Sequence, residues 1–163
     1  MWSSDRVSIR NAEAADIDRI MEIAEPLGLS TRTKSDYLSD LASEFQMMLV
    51  SLVNNRIVGF LSGRSLPMYD GNDRAEAEIH NIGVEPEYQR KGIATELIHA
   101  FGDRISRLGS LSSIWIEVRA GNRAAIQFYE KLGFCETARR RGYYTEPRDD
   151  AIVMALTSTF DDG

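Results

Sequence analysis

The densest cluster of residues that could bind a ligand is Gln89-Arg90-Lys91-Gly92-Ile93-Ala94. It follows a run that alternates like a strand and opens a run with apolar residues at helical spacing. The start of a helix leaves backbone N–H groups without partners and carries the positive end of the helix dipole. Gly92 and the small Ala94 leave room for an anion to reach those donors, and Arg90 and Lys91 add positive charge. The same residues also suit an ordinary strand-to-helix turn with a solvated basic pair.

Groups able to move a proton lie elsewhere. Tyr129 carries a phenol with an ordinary pKa of about 10, so it is protonated at neutral pH and can donate. Its spacing from Ala125 and Leu132 equally fits a buried stripe. In Ile114-Trp115-Ile116-Glu117-Val118-Arg119 alternation puts Ile114, Ile116 and Val118 on one face, and Trp115, Glu117 and Arg119 on the other. Glu117 is therefore either a base or a strand-end carboxylate paired with Arg119. Glu76, Glu78 and His80 share one face of an earlier strand with Ile82 and Val84, which makes Glu78 a second carboxylate candidate. His80 also suits a hydrogen-bonded core position, and His99, in mid-helix, reads as structural or solvated. Cys135 follows Gly133-Phe134 without a basic neighbour and is expected in the core, not as a nucleophile. As the one cysteine it allows neither an internal disulfide nor a structural zinc site, and no metal is expected.

Two longer stretches bring a family into view. Ile82-Gly83-Val84-Glu85-Pro86-Glu87-Tyr88-Gln89-Arg90-Lys91-Gly92-Ile93-Ala94 resembles the signature of the GNAT acetyltransferases: Gln or Arg, two residues, Gly, one residue, then Gly or Ala. Asn122-Arg123-Ala124-Ala125-Ile126-Gln127-Phe128-Tyr129-Glu130-Lys131-Leu132-Gly133-Phe134 resembles that family's second motif, and the two stand in the family's order. The resemblance implies acetyl-coenzyme A as co-substrate. Backbone groups of Ile82 and Val84 would hold the pantetheine arm and acetyl carbonyl. Amides from about Arg90 to Thr95, including Ile93 and Ala94, would bind the pyrophosphate, and Asn122 with its helix would line the coenzyme. Tyr129 would serve as the acid at the coenzyme sulfur.

The second half resembles a narrower group. Glu117-Val118-Arg119-Ala120-Gly121-Asn122, Tyr129, Arg140-Arg141-Gly142-Tyr143-Tyr144 and Asp150-Ala151-Ile152-Val153-Met154-Ala155-Leu156 are similar to the RimI enzymes, which acetylate the N-terminal alanine of a ribosomal protein. That resemblance implies Glu117 as general base, ahead of Glu78, and Tyr129 as general acid in direct transfer. Tyr143 and Tyr144 would border a peptide groove, or else cover the core as strand aromatics. Where RimI-type chains carry Pro-Trp-Ser, this chain has Glu25-Pro26-Leu27-Gly28-Leu29-Ser30, a difference on the acceptor side. The acceptor expected is a protein N-terminus, such as that of a ribosomal protein. A small amine (polyamine, amino acid or antibiotic) and a non-catalytic coenzyme-binding module are the rival expectations.

The elements that must position these residues follow from periodicity. Strands are expected at Val7–Arg10, about Met47–Val53, Ile57–Leu66, about Glu76–Val84, Ser113–Val118, near Phe134–Tyr143 and Ala151–Leu156. Helices are expected from about Asp16 to Pro26, over Ser35–Ser43, from Ile93 to Leu108 and from Asn122 to Lys131. Asn54-Asn55 suits a tight hairpin turn and Pro67–Arg74 a polar loop with Asp70-Gly71-Asn72. The expectation is an α/β GNAT fold, a mixed central sheet of about seven strands with about four helices. It forms a single domain over 1–163 with a core from about residue 7 to 157. At 163 residues the chain can bury a core without staples. Its net charge of −6 does not favour nucleic acid and is compatible with a basic acceptor. Without a signal-like apolar stretch in Met1–Arg6, or a run near the roughly 18–20 apolar residues that cross a bilayer, a cytoplasmic protein with no membrane partner is expected.

Overall fold

The computed structural model describes residues 6–29, 32–67 and 74–157. They form β1 (Val7–Asn11), α1 (Ile17–Ala24), α2 (Lys34–Ala42), β2 (Gln46–Val53), β3 (Arg56–Pro67), β4 (Arg74–Val84), α3 (Ile93–Ser106), β5 (Ser110–Arg119), α4 (Arg123–Lys131), β6 (Cys135–Thr145) and β7 (Arg148–Thr157). The strands make one seven-stranded sheet in the order β1-β2-β3-β4-β5-β7-β6. Type and order of every element agree with the periodicity. Most of the expected polar loop with Asp70-Gly71-Asn72, like the start of the chain, lies outside the described residues. By its contacts the chain divides into two compact units, 1–65 with 79–104 and 66–78 with 105–163.

In the first unit β1 pairs antiparallel with β2, and β2 with β3. Asn54 and Asn55 both have positive φ, 50° and 63°, the conformation a two-residue hairpin turn requires. Helix α1 buries Ile17, Ile20, Ile23 and Ala24 against Met48, Val50, Ile57 and Phe60, with Tyr37 of α2 in the same cluster. Thr33 and Asp36 cap α2 reciprocally, each side chain accepting from the other's backbone N–H at 3.2 and 2.7 Å. Leu38 of α2 is 42% exposed. Asp16 anchors the entry to α1: its carboxylate takes both Nη atoms of Arg10, at 2.7 and 3.1 Å, and the Glu13 N–H at 2.8 Å.

In the second unit β5 pairs antiparallel with β7, from Ser113 opposite Thr157 to Arg119 opposite Ala151, and β6 pairs with β7 on its other side. Ile114, Ile116 and Val118 are buried while Trp115, Glu117 and Arg119 are half-buried, so the alternation read from sequence holds. Helix α3 ends at Ser106, short of the expected Leu108, which is 69% exposed. Cys135 is exposed on β6, which corrects the expectation of a core cysteine. The sequence shows a short apolar residue there; only the sheet order shows that it starts an outermost strand.

Candidate active site

Strand β4 delivers the chain to a 3-10 turn at Pro86–Tyr88, and α3 starts at Ile93. Between them Arg90 and Gly92 take positive φ values of 62° and 81°. Left-handed backbone leading into a helix start, whose first N–H groups lack intrahelical partners, suits an anion. A side chain built on Gly92 would meet nothing within 4 Å, so the glycine is there for its φ and leaves the approach open. Arg90, Lys91 and Gly92 are exposed, and Ala94 and Thr95 half-buried. Ile93 is buried, so its side chain serves the core and its backbone alone is available. Gln89 braces the turn from within. Its Nε2 donates to the Val84 carbonyl at 2.9 Å, tying the turn to the end of β4. The donor set, backbone amides of a helix start beside two cations, fits a pyrophosphate.

Upstream, the burial of β4 changes phase. Ala75, Ala77 and Ile79 are buried and Glu76, Glu78, His80 and Ile82 half-buried, but Gly83 and Val84 are both buried. The burial of Val84 departs from the alternation seen earlier in the strand. A side chain at Gly83 would meet Leu29 Cδ1 at 3.0 Å, Phe60 Cε1 at 3.0 Å and Leu27 Cδ1 at 3.1 Å. The segment that departs from the RimI pattern is thus seated on the glycine between Ile82 and Val84. Sequence reading located the departure but not its contact.

In the second unit Glu117, Glu76, Glu78, Trp115, Arg140 and Leu66 line a cavity of about 200 Å³. Glu117 and Glu78, the two carboxylates weighed as base, thus face the same space. The alternative reading of Glu117, a pair with Arg119 on their shared face, is not what the structure has. Oε1 of Glu117 lies 3.3 Å from Nε of Arg140, two strands away on β6. Arg119 instead donates to the carbonyls of Pro147 and Glu146 and stacks over the Tyr144 ring at 4.1 Å. Arg140 went unnoticed because only the β5-β7-β6 order brings it across.

Tyr129 is buried on α4, its ring edge-on to Phe128 at 5.2 Å and to Phe134 at 5.5 Å. Burial pushes its phenol well above the ordinary value, so the proton is held firmly. It is not among the residues lining the Glu117 cavity. Asn122 caps α4, its Oδ1 accepting from the Ala125 N–H at 3.2 Å. Tyr143 is half-exposed and edge-on to Tyr144 at 5.1 Å. Burial, with the charge of Glu117 next in importance, raises the Tyr144 phenol. Among the described residues no helix is long and apolar enough to cross a membrane.

The turn into α3 and the carboxylate-lined cavity of the second unit agree with an acetyltransferase family assignment. The match is direct: residues 17–134 fit the model of the acetyltransferase (GNAT) family, and the chain belongs to that family. It is 48% identical over 83 residues to the ribosomal protein bS18-alanine N-acetyltransferase of Escherichia coli K12, a match covering 50% of this chain and 55% of the relative. In that comparison the chain spans about half the length of the relative. An N-alpha-acetyltransferase of Saccharolobus solfataricus is 31% identical over 154 residues, 91% of either chain. The crystal structure of the ribosomal-protein-S18-alanine N-acetyltransferase from Escherichia coli superposes with a TM-score of 0.77 at 32% identity, covering 93% of this chain and 94% of that one.

Proposed function

We propose that the protein transfers the acetyl group of acetyl-coenzyme A directly to the α-amino group of a protein N-terminus, with Glu117 as general base and Tyr129 as general acid. The observation that carries the reading is the cavity in which Glu117 stands with Glu76, Glu78 and Arg140. At about 200 Å³ it is smaller than the roughly 300–1,000 Å³ that encloses a drug-sized molecule. It suits an amino group with a short side chain. An α-amine has an ordinary pKa of about 7.7–8, against about 10.4 for a lysine-type amine. A carboxylate is therefore an adequate base for the first and a weak one for the second.

The bound thioester supplies an activated acetyl carbonyl. Amides of residues 90–95 hold the pyrophosphate, helped by Arg90 and Lys91, while Gln89 braces the turn. Backbone groups of Ile82 and Val84 hold the pantetheine arm and the acetyl oxygen, and Asn122 and its helix are assigned to the coenzyme as well. Glu117 takes the proton from the acceptor ammonium. The freed nitrogen forms the new bond to the acetyl carbon and sheds its second proton to solvent as the carbon–sulfur bond breaks. Tyr129 gives its proton to the departing thiolate and regains one from solvent. Tyr143 and Tyr144 border the acceptor.

Relatives named for ribosomal protein bS18 alanine support a ribosomal protein beginning with alanine as the acceptor. The net charge of −6 suits a basic N-terminal segment. A second reading, a small polyamine, is favoured by the three carboxylates around one cavity. Purified protein assayed with acetyl-coenzyme A against N-terminal peptides and a panel of amines separates the two. Turnover of polyamines with none of any peptide would overturn the proposal. Glu117→Gln and Glu78→Gln compared across pH assign the base.

A further inference from the structure

Two features of the second unit remain unexplained by the assignment of Glu117 and Tyr129. The first is the guanidinium of Arg140 in the carboxylate cavity, 3.3 Å from Glu117. The second is an irregularity of β6 next to it. Arg140 is opposite Ala151 and Tyr144 is opposite Asp149, so β6 advances four residues while β7 advances two. The surplus forms a bulge around Gly142, whose φ is 62°. Bulges bend a strand and re-aim the side chains beside them.

This bulge is held by a dedicated acceptor. Asp150 Oδ1 receives the Gly142 N–H at 2.8 Å, and its other oxygen lies 3.3 Å from Arg139 Nη1. The Gly142 N–H and Arg139 keep the Asp150 carboxyl below the usual carboxylate range. Tyr143, within the bulge, puts its ring 5.5 Å from the Arg140 guanidinium and limits where that side chain can swing.

We propose that Arg140 is a positioning residue for acetyl transfer: aimed by the Gly142–Asp150 bulge, it holds the Glu117 carboxylate in place in the cavity until the acceptor ammonium replaces it. The proposal rests on Glu117 being the base. The physical need is clear from the neighbours. Glu117 faces Glu76 and Glu78 from β4, Arg140 and Tyr144 from β6, and Val153 from β7. Like-charged carboxylates around one small cavity repel each other, and a cation beside Glu117 offsets that repulsion. Arg140 is that cation at rest, and its side chain, 57% exposed, can withdraw toward solvent when the acceptor brings a charge of its own.

The test compares Arg140→Gln, Arg140→Lys, Asp150→Asn and Glu117→Gln, measuring kcat/KM across pH, coenzyme affinity and the thermal midpoint. Arg140→Gln is expected to lower kcat/KM about tenfold at pH 7. It should also shift the acid limb of the profile upward by about half to one unit, a pair effect reduced by solvent exposure. Arg140→Lys keeps the charge and holds the limb near wild type, and Asp150→Asn shifts it in the same direction by less. Coenzyme affinity should not change. A uniform loss at every pH without a shift of the limb would mean a merely structural arginine and overturn the proposal. So would a wild-type profile in Arg140→Gln alongside an inactive Glu117→Gln, which leaves the base assignment standing. Wild-type rates in Glu117→Gln would remove the base assignment and the proposal together.

Discussion

Tyr129→Phe removes one oxygen and little else. The ring is buried between Phe128 and Phe134, and phenylalanine can occupy the same space with the same edge-on contacts. Stability should change by less than about 1 kcal/mol, the net value of an ordinary hydroxyl contact. The reaction loses its proton donor. Positioned acid–base groups contribute about 10²–10⁴-fold, or about 3–5 kcal/mol of barrier at 1.36 kcal/mol per tenfold. The assay is continuous detection of the released thiol with saturating acetyl-coenzyme A and peptide, with calorimetric coenzyme affinity alongside. The expected result is a kcat lowered at least about 100-fold with affinity within about twofold of wild type. Burial raises this phenol, so its stabilising contribution is complete below the ordinary tyrosine pKa of about 10 and fades only as pH rises beyond it. The alkaline side of the wild-type profile should therefore show no loss from Tyr129 below about pH 10. A Tyr129→Phe rate within about threefold of wild type would refute the acid assignment.

Gly92→Val forces a β-branched residue to a φ of 81°, at a cost of about 1–2 kcal/mol, and closes the open side of the turn. The KM for acetyl-coenzyme A should rise about tenfold while that for the acceptor stays put, which steady-state kinetics measures. Asn122→Ala deletes the bond from the Ala125 N–H and should lower stability by about 1 kcal/mol in denaturant titrations. Asp16 is held below the carboxylate range, chiefly by Arg10, so its stabilisation is present above the unfolded value of about 3.9 and lost as pH falls through the folded one. Asp16→Asn should lower the thermal midpoint at pH 7 and flatten the acid end of the stability–pH curve.

How much the sequence disclosed varied with the range of the interactions involved. The turn at residues 89–92, the Asn122 cap and the Asn54-Asn55 hairpin were legible because each depends on residues a few positions apart. The faces of β5 were legible from alternation alone. For Glu117 alternation offers Arg119 on its own strand as the alternative partner, and the observed neighbour is Arg140. A salt bridge across two strands depends on register, and the register of β6 is altered by a bulge that periodicity does not reveal. The burial of both Gly83 and Val84 was not legible, because the alternation of burial along β4 holds only from Ala75 to His80. Cys135 was placed inside on residue type, although it starts an outermost strand. The seat of Leu27 and Leu29 on Gly83 is likewise a contact between segments far apart in the chain, which residue patterns do not encode.

The most direct test of the central claim is mass-spectrometric location of the acetyl group after purified protein is incubated with acetyl-coenzyme A and a basic peptide beginning with alanine. The peptide should carry an internal lysine and compete with an equal concentration of spermidine. Acetyl transfer to the α-amino nitrogen, with lysine and spermidine unmodified, is the predicted result. Acetylation confined to spermidine or to the lysine side chain would contradict it.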